Sequence, residues 1–321
     1  MIIVTGGAGF IGSNLVQGLN DRGVTEILVV DELTRSAKFL NLTGCRFADY
    51  MDKQEFRRAL ERGALRPQIE AVLHQGACTD TMESDGRYMM ENNFTFSKLL
   101  LHFALARTIP FVYASSAAVY GINKASDEVP ENERPLNVYG FSKLIFDQHV
   151  RRVLADAQST VVGLRYFNVY GPREAHKGRM ASMVYQLYRQ LVTTGKARLF
   201  AGTDGYGDGE QRRDFIFVGD VVKLNLFFAE GPVKKGIFNA GTGQSRSFND
   251  VARRLIQLTG TGEIEYFSFD EALRGTYQPF TEADIGRLRK AGYGEPCTSL
   301  DDGIERSLRW WRSEPGPGTS P

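Results

Sequence analysis

Three apolar residues, Ile2, Ile3 and Val4, run straight into a glycine-rich turn, and beyond it the apolar spacing becomes helical. Ile11, Leu15, Val16 and Leu19 then share one side of a helix that ends near Gly23. A second apolar run, Ile27 to Val30, is closed by Asp31. The alternation continues. A short strand around Arg46-Phe47-Ala48 leads into Asp49–Asp52, a charged helix covers Gln54 to Arg62, and Ile69 to Leu73 reads as a buried strand. Tyr88 to Arg107 reads as one long helix with Leu99, Leu100, Phe103 and Ala104 toward the core. Pro110 to Ala114 is a strand finishing in Ser115-Ser116, a helix opens at Pro135–Tyr139 and runs to about Leu154, and Thr160 to Arg165 is the next strand. Strands alternating with helices predict an α/β fold with a doubly wound parallel sheet.

After Asn168 the pattern loosens. Met180 to Val192 reads as a helix, Gly202 to Gly209 as a flexible loop with four glycines, and Asp214 to Val218 as a strand with Asp220 as the following helix N-cap. Glu263 to Phe267 belongs to a small mixed region, and Pro315 to Pro321 reads as disordered. The expected organisation is a dinucleotide-binding domain of residues 1–167 plus about 214–240. A smaller mixed α/β substrate lobe takes 168–213 plus about 241–310, and 311–321 form a flexible tail. No internal repeat or low-complexity block is present.

The first turn carries the first chemistry. Gly6, Gly9 and Gly12 follow the spacing G-x-x-G-x-x-G between a strand and a helix. In a Rossmann-type turn the first glycine makes the sharp bend, the second admits a pyrophosphate to the backbone, and the third lets helix and strand pack closely. The helix N-terminus then faces the phosphates. Asp31, at the end of the second strand, stands where an acid binds an adenosine ribose. Small residues in His74-Gln-Gly-Ala-Cys78 let a ligand lie against the backbone at another strand end. Together these predict a bound dinucleotide.

Composition narrows the partners. The 321 residues are 42% hydrophobic and 24% charged, with a net charge of +1, which gives no reason to expect nucleic acid or an acidic surface. Cys45, Cys78 and Cys297 are far apart and read as free thiols in a reducing compartment. No apolar run is long enough to span a bilayer, and the first strand begins at residue 2, so the chain reads as cytoplasmic. Of the four histidines, His74 reads as a structural hydrogen-bonder, and none stands in a ligand-type cluster; no metal is expected.

Tyr139-Gly-Phe-Ser-Lys143 places a phenol and an ammonium one helical turn apart on the same face. A tyrosine is a poor base at neutral pH, and a neighbouring ammonium lowers its pKa. Downstream of a dinucleotide turn and a strand ending in Ser116, the three residues read as a hydride-transfer triad, with Ser116 offering a hydroxyl to the reacting oxygen.

These marks, with Ser116-Ala-Ala-Val-Tyr-Gly121, Arg165-Tyr-Phe-Asn168-Val-Tyr-Gly-Pro and Arg213-Asp-Phe-Ile-Phe-Val-Gly-Asp220, resemble the nucleotide-sugar class of the extended short-chain dehydrogenase/reductases over residues 1 to about 310. Ala48-Asp-Tyr-Met-Asp-Lys53, Tyr88-Met-Met-x-Asn92-Asn93, Gly171-Pro-Arg-Glu-x-His-Lys177-Gly-x-Met-Ala-Ser182 and Tyr277-Gln-x-Phe-Thr281 look like the branch that epimerises ADP-linked heptoses at C6 for lipopolysaccharide core. The resemblance implies an isomerase working through a 6-keto intermediate on a tightly held nicotinamide. Tyr139 and Lys177 would be its two acid/base groups, assisted by Lys143 and Ser116. By spacing alone Lys177 reads as a phosphate or solvent contact. The resemblance further implies cofactor contacts at Gly6, Gly9, Phe10, Ile11, Gly12, Asp31, Glu32, Lys38, Lys53, Gln75, Gly76, Ala77, Cys78, Thr79, Asn92, Lys143, Val169 and Lys177. Substrate contacts would fall at Asn168, Arg179, Gln186, Phe200, Ala201, Gly202, Thr203, Arg213 and Tyr277, with Arg213 clamping the pyrophosphate. The branch is homo-oligomeric, with a homopentamer expected.

Two departures stand out: the Gly202–Gln211 loop is longer and richer in glycine than the pattern, and Arg179 occupies a position that is often small. Cofactor choice carries a conflict. Asp31 favours NAD by repelling a 2′-phosphate, whereas Arg35 and Lys38 can neutralise one, and Lys38 and Lys53 match contacts of an NADP-preferring branch. NADP is the expectation and NAD the alternative. A 4,6-dehydratase needs an acid pair after the serine, where this chain has Ala117 and Ala118. A UDP-galactose-type 4-epimerase shares the serine, tyrosine and lysine but not the Lys177 segment. A non-enzymatic NADP sensor would need no Tyr139–Lys143 pair.

Overall fold

The computed structural model describes residues 1–34, 36–65, 68–269 and 277–313. Among them the strands run, in chain order, β1 (Ile2–Thr5), β2 (Ile27–Asp31), β3 (Asp49–Asp52), β4 (Ala71–His74), β5 (Phe111–Ser116) and β6 (Val161–Tyr166). They continue with β7 (Asn168–Tyr170), β8 (Lys196–Phe200), β9 (Arg212–Phe217), β10 (Lys235–Ala240), β11 (Ser245–Ser247) and β12 (Glu263–Phe267). The helices are α1 (Phe10–Asn20), α2 (Lys53–Glu61), α3 (Gly86–Met90), α4 (Phe96–Arg107) and α5 (Val138–Val153). After them come α6 (Met183–Thr194), α7 (Val218–Glu230), α8 (Phe248–Thr259), α9 (Gly286–Lys290) and α10 (Leu300–Ser313).

Seven strands form a sheet in the order β10-β6-β5-β4-β1-β2-β3, with every pairing parallel. Successive side chains of a strand face opposite sides, so each central strand feeds two cores. Ile3, Leu28, Val30 and Phe111 pack with Phe56 of α2, Leu100 of α4 and Phe146 of α5. Val4, Val29, Leu73 and Val112 pack on the other side with Leu15 and Val16 of α1 and Val221 of α7. This is the expected doubly wound α/β layer. The strand order reverses between β1 and β4, and a ligand crevice is expected outside their carboxyl ends.

The late region forms a three-stranded sheet, β11-β9-β7, and a two-stranded one, β12-β8. Its core comes from α6, α8 and α10, with Trp311 5.1 Å from both Tyr185 and Tyr188. Thus α10 continues to Ser313, across the first residues read as tail, because Trp311 is buried. Residues 314–321 and Arg35 lie outside the described residues. Among the described residues no helix is long and apolar enough to cross a membrane.

Local differences have local causes. The third strand is Asp49–Asp52 rather than Arg46–Ala48, because Arg46 is tied by both backbone groups to the Asn20 side chain at the end of α1. The long helix from Tyr88 is interrupted by a π-helical turn at Glu91–Thr95, a local widening frequently found at functional sites. Helix α5 starts after Asn137, whose side chain accepts from Gly140 N–H, leaving Pro135 outside. A 3₁₀ turn over Ala175–Met180 precedes α6, which begins at Met183 under a Ser182 cap. Asp220 lies inside the first turn of α7 rather than at its cap, and it accepts from Thr298 N–H and hydroxyl at 2.7 and 3.0 Å.

Candidate active site

A cleft opens at the predicted crevice. It is lined by Gly6, Gly9, Phe10, Ile11 and Gly12 from the first turn and by Asp31, Glu32 and Lys38 after β2. Gln75 to Thr79 after β4, with Lys53, Asn92 and Lys177, line it as well. Lys143 and Val169 do not line it; Val169 is half-buried in β7 among apolar neighbours. Thr5, Val30, Tyr88, Phe96 and His176 line it without having been singled out. Thr5 and Val30 simply precede Gly6 and Asp31 and could have been found from that adjacency. His176 likewise precedes Lys177, and Tyr88 opens the motif that ends in Asn92 and Asn93, whereas Phe96 carried no such signal.

The glycine turn fits a dinucleotide. Gly6 has φ +66°, and a Cβ there would lie 2.7 Å from Gly76 N. At Gly12 a Cβ would lie 2.0 Å from Gly6 O, so only glycine lets α1 approach the turn this closely. Gly9 caps α1 without a side-chain hydrogen bond, leaving the first N–H groups of the helix to an anion. Behind the turn, buried His74 bridges Thr5 Oγ1 at 2.6 Å and Ser97 Oγ at 2.8 Å, the structural role expected of it. Burial pushes its pKa down to about 3, with Lys143 adding to the effect.

At the end of β2 the charges are paired within the protein. Asp31 Oδ2 accepts from Ala8 N–H at 2.8 Å, and Oδ1 accepts from Lys38 Nζ at 2.8 Å. Lys53 reaches Glu32 at 2.8 Å and Asn92 Oδ1 at 3.0 Å. The π-helical turn sets two neighbouring asparagines to different tasks. Asn92 meets Lys53, while Asn93 holds the Cys78 backbone through its N–H and carbonyl at 2.8 and 2.9 Å.

Tyr139, Lys143 and Ser116 gather where α5 meets the end of β5. Ser116 Oγ accepts from Ala118 N–H at 3.1 Å and is hydrogen-bonded to the Tyr139 phenol. Burial pushes the phenol above its ordinary pKa, with the Ser116 bond acting against it. Lys143 Nζ donates to the Ala114 carbonyl at 2.8 Å, and burial pulls its pKa down to about 8 while Asp147 opposes. The expected lowering of Tyr139 by Lys143 is therefore not what this arrangement exerts. A buried ammonium needs an acceptor, and a strand carbonyl supplies it. The thiol of Cys78, which lines the cleft, interacts electrostatically with both Tyr139 and Lys143, which sets the pair beside the cleft.

Lys177 enters the same cleft from the turn before α6, its Nζ 5.6 Å from the centre of the Phe10 ring. Burial lowers its pKa and Glu174 opposes the shift. His176 Nδ1 accepts from Asn41, whose amide also donates to Ala8 O, and burial lowers this histidine to about 4.

The anticipated substrate residues divide. Arg213 is buried with its guanidinium 5.4 Å from the Phe248 ring and 5.1 Å from Tyr277. Among the described residues no carboxylate pairs with it. Phe200 packs against Tyr277, Phe267 and Phe269, so an aromatic group backs the Tyr277 ring; Phe248, Phe267 and Phe269 were not anticipated. Ala201 N–H donates to Phe267 O at 2.8 Å, and Gly202 N–H to Asp208 at 2.7 Å. Thr203 bonds Asp204 at 3.2 Å, so the four-glycine loop is tied by hydrogen bonds of its own. Asn168 donates to Asp214 O and Thr281 Oγ1 at 3.3 and 3.2 Å. Gln186 instead binds the carbonyls of Arg179 and Ala181, and Arg179 pairs with Asp80 at 2.9 Å. The departure at Arg179 thus has a partner in the loop after β4.

ADP-L-glycero-D-manno-heptose-6-epimerase of Alkalilimnicola ehrlichii is 56% identical over 308 residues, 96% of each chain. The crystal structure of the Helicobacter pylori enzyme of the same name matches with a TM-score of 0.84 at 33% identity, covering 98% of this chain and 96% of that one. UDP-glucose 4-epimerase of Thermus thermophilus, solved in complex with NAD, matches with a TM-score of 0.76 at 28% identity over 97% and 99% of the two chains. A family model, NAD dependent epimerase/dehydratase family, matches residues 2–241. That span contains the glycine turn, the Ser116–Tyr139–Lys143 group and the Lys177 turn, and the chain belongs to the NAD dependent epimerase/dehydratase family.

Proposed function

We propose that this protein converts ADP-D-glycero-β-D-manno-heptose to its L-glycero isomer at C6, through a 6-keto intermediate, as a step toward lipopolysaccharide core. The observation that carries this reading is Lys177, an ammonium beside the Phe10 ring in the cleft of the glycine turn. The 56% identity to the A. ehrlichii enzyme supports the substrate.

The residues of the glycine turn, Gly6, Gly9 and Gly12, with Asp31 and Gln75 to Thr79, would hold a nicotinamide dinucleotide, which would supply reversible hydride transfer at C6. Tyr139, hydrogen-bonded to Ser116, takes the hydroxyl proton as the C6 carbonyl forms in one pose, and Lys177 serves the oxygen in the other. Burial raises the phenol and lowers the lysine, so each group is shifted toward its uncharged form. Lys143 acts from behind, anchored on Ala114 O. Arg213, a buried cation among aromatic rings, takes the pyrophosphate. For the cofactor we favour NADP, with Lys38 and Lys53 receiving the 2′-phosphate, since both ammonium groups stand at the end of β2 beside paired acids. A cytoplasmic homo-oligomer, the homopentamer of the resemblance, belongs to the same reading.

Proton NMR of ADP-D-glycero-D-manno-heptose incubated with the purified protein, without added cofactor, tests the proposal. Conversion to the L-glycero isomer supports it and shows that bound nicotinamide is reused. No conversion after NADP and NAD are added overturns it, and UDP-galactose is then the substrate to try.

A further inference from the structure

Glu174 is fully buried in the segment that carries Lys177, and the steps above make no use of it. Its Oε1 accepts from Gly171 N–H at 3.0 Å and from the Ser182 hydroxyl at 2.9 Å, and its Oε2 accepts from Ser182 N–H at 2.6 Å. One carboxylate thereby joins the two ends of the segment, and Lys177 lies between them. Lys177 N–H donates to Glu174 O at 3.0 Å, so the turn folds directly onto this residue.

The entry to the segment is held separately. Arg173 takes the left-handed backbone region with φ +70°, rare for a non-glycine residue. Its guanidinium donates to Ser13 O at 2.7 Å and Gln17 Oε1 at 3.0 Å, while Asn14 donates to Pro172 O at 3.0 Å. All three partners are on α1, the helix that also carries Phe10 beneath Lys177. The exit, at Ser182, rests on Glu174.

We propose that Glu174 is the positioning residue for Lys177, its carboxylate closing the 171–182 segment so that the ammonium is held over the glycine turn. The inference rests on the reading of Lys177 as an acid/base group. All three contacts on the carboxylate are donors, so ionised Glu174 satisfies them best. Burial pushes its pKa up to about 7, against those bonds and the Lys177 charge. Lys177 in turn faces His176, with Lys38 and Asp31 beyond it.

The test compares Glu174→Gln, Glu174→Asp and Lys177→Ala with the intact protein, reading kcat, KM for the ADP-heptose and thermal melting across pH. A glutamine amide turns a donor toward one of the donors now bound and removes the charge that raises the Lys177 pKa. Glu174→Gln is therefore expected to lower kcat at least about tenfold, with KM changing less than about threefold, and to move the pH limb reporting Lys177 about one unit lower. Glu174→Asp keeps the charge on a shorter arm and is expected to keep that limb in place. Unchanged kcat and limb in Glu174→Gln, with Lys177→Ala inactive, would overturn the positioning role alone. A lower melting point and raised KM with the limb unmoved would also overturn it, leaving a merely structural glutamate. An active Lys177→Ala would instead overturn the reading of Lys177, and this inference with it.

Discussion

Lys38 Nζ lies 2.8 Å from Asp31 Oδ1, so the acid that closes β2 is neutralised from within the chain. An unpaired carboxylate there would repel a 2′-phosphate and bind ribose hydroxyls; a paired one leaves an ammonium at hand. Lys38→Ala is expected to weaken NADP binding about tenfold and to improve NAD binding relative to it, as one charged phosphate contact is lost. Titration of cofactor-stripped protein with each dinucleotide measures both. An unchanged NADP-to-NAD ratio would remove Lys38 from cofactor choice.

Tyr139 interacts with Ser116 through its phenol. Tyr139→Phe keeps the ring and deletes the acid/base oxygen, so kcat should fall by about 10²–10⁴ while the melting temperature is nearly unchanged. Turnover by NMR alongside thermal melting separates the two effects.

Arg213 lies between Phe248 and Tyr277 with no carboxylate partner among the described residues. Arg213→Lys keeps the charge but loses the planar fork and its stacking. KM for the nucleotide sugar should rise roughly tenfold or more, with cofactor affinity unaltered, because the loss is in substrate binding. Initial rates at varied substrate give the split.

Asp147 is fully buried and accepts from Tyr113 OH at 2.8 Å, Ser115 OH at 2.9 Å and Arg165 Nε at 2.9 Å. Asp147→Ala would leave the buried Arg165 guanidinium undercompensated, at a cost of about 3–5 kcal/mol. Breaking the surface pair Arg22–Glu230 should cost less than about 1 kcal/mol. Urea unfolding of both variants checks the contrast.

His74 and His176 are held neutral by burial, with pKa values lowered to about 3 and about 4. The unfolded chain binds protons below the ordinary histidine range near ~6.5 and the folded chain does not. Both contributions are complete above that range and are lost as pH falls through it toward 4 and 3. Melting followed from neutral to acid pH should show stability dropping, and His176→Asn should reduce proton uptake on unfolding by about one.

Much of this was legible before any fold was known. The alternation of apolar runs defines the sheet and its two cores, since the alternate facing of neighbours such as Ile3 and Val4, each buried in a different core, is a local property of the strand backbone. Gly6 and Gly12 are equally local, because a positive φ and a close helix approach are demands on single residues. The late lobe was less legible. Its strands are short, and no spacing connects Phe248 and Tyr277, the rings beside Arg213, with one another or with the Phe200, Phe267 and Phe269 group behind Tyr277.

The sequence by itself determined the α/β layer, the glycine turn and the candidate chemistry at Ser116, Tyr139 and Lys143, because each follows from neighbours along the chain. Only the tertiary structure decided where the charges go. Lys143 turns to Ala114 O, Lys38 neutralises Asp31, Arg179 crosses to Asp80, and Glu174 closes the Lys177 segment on Ser182. A buried or half-buried charge takes the best acceptor or donor within reach, and reach is set by packing between segments far apart in sequence.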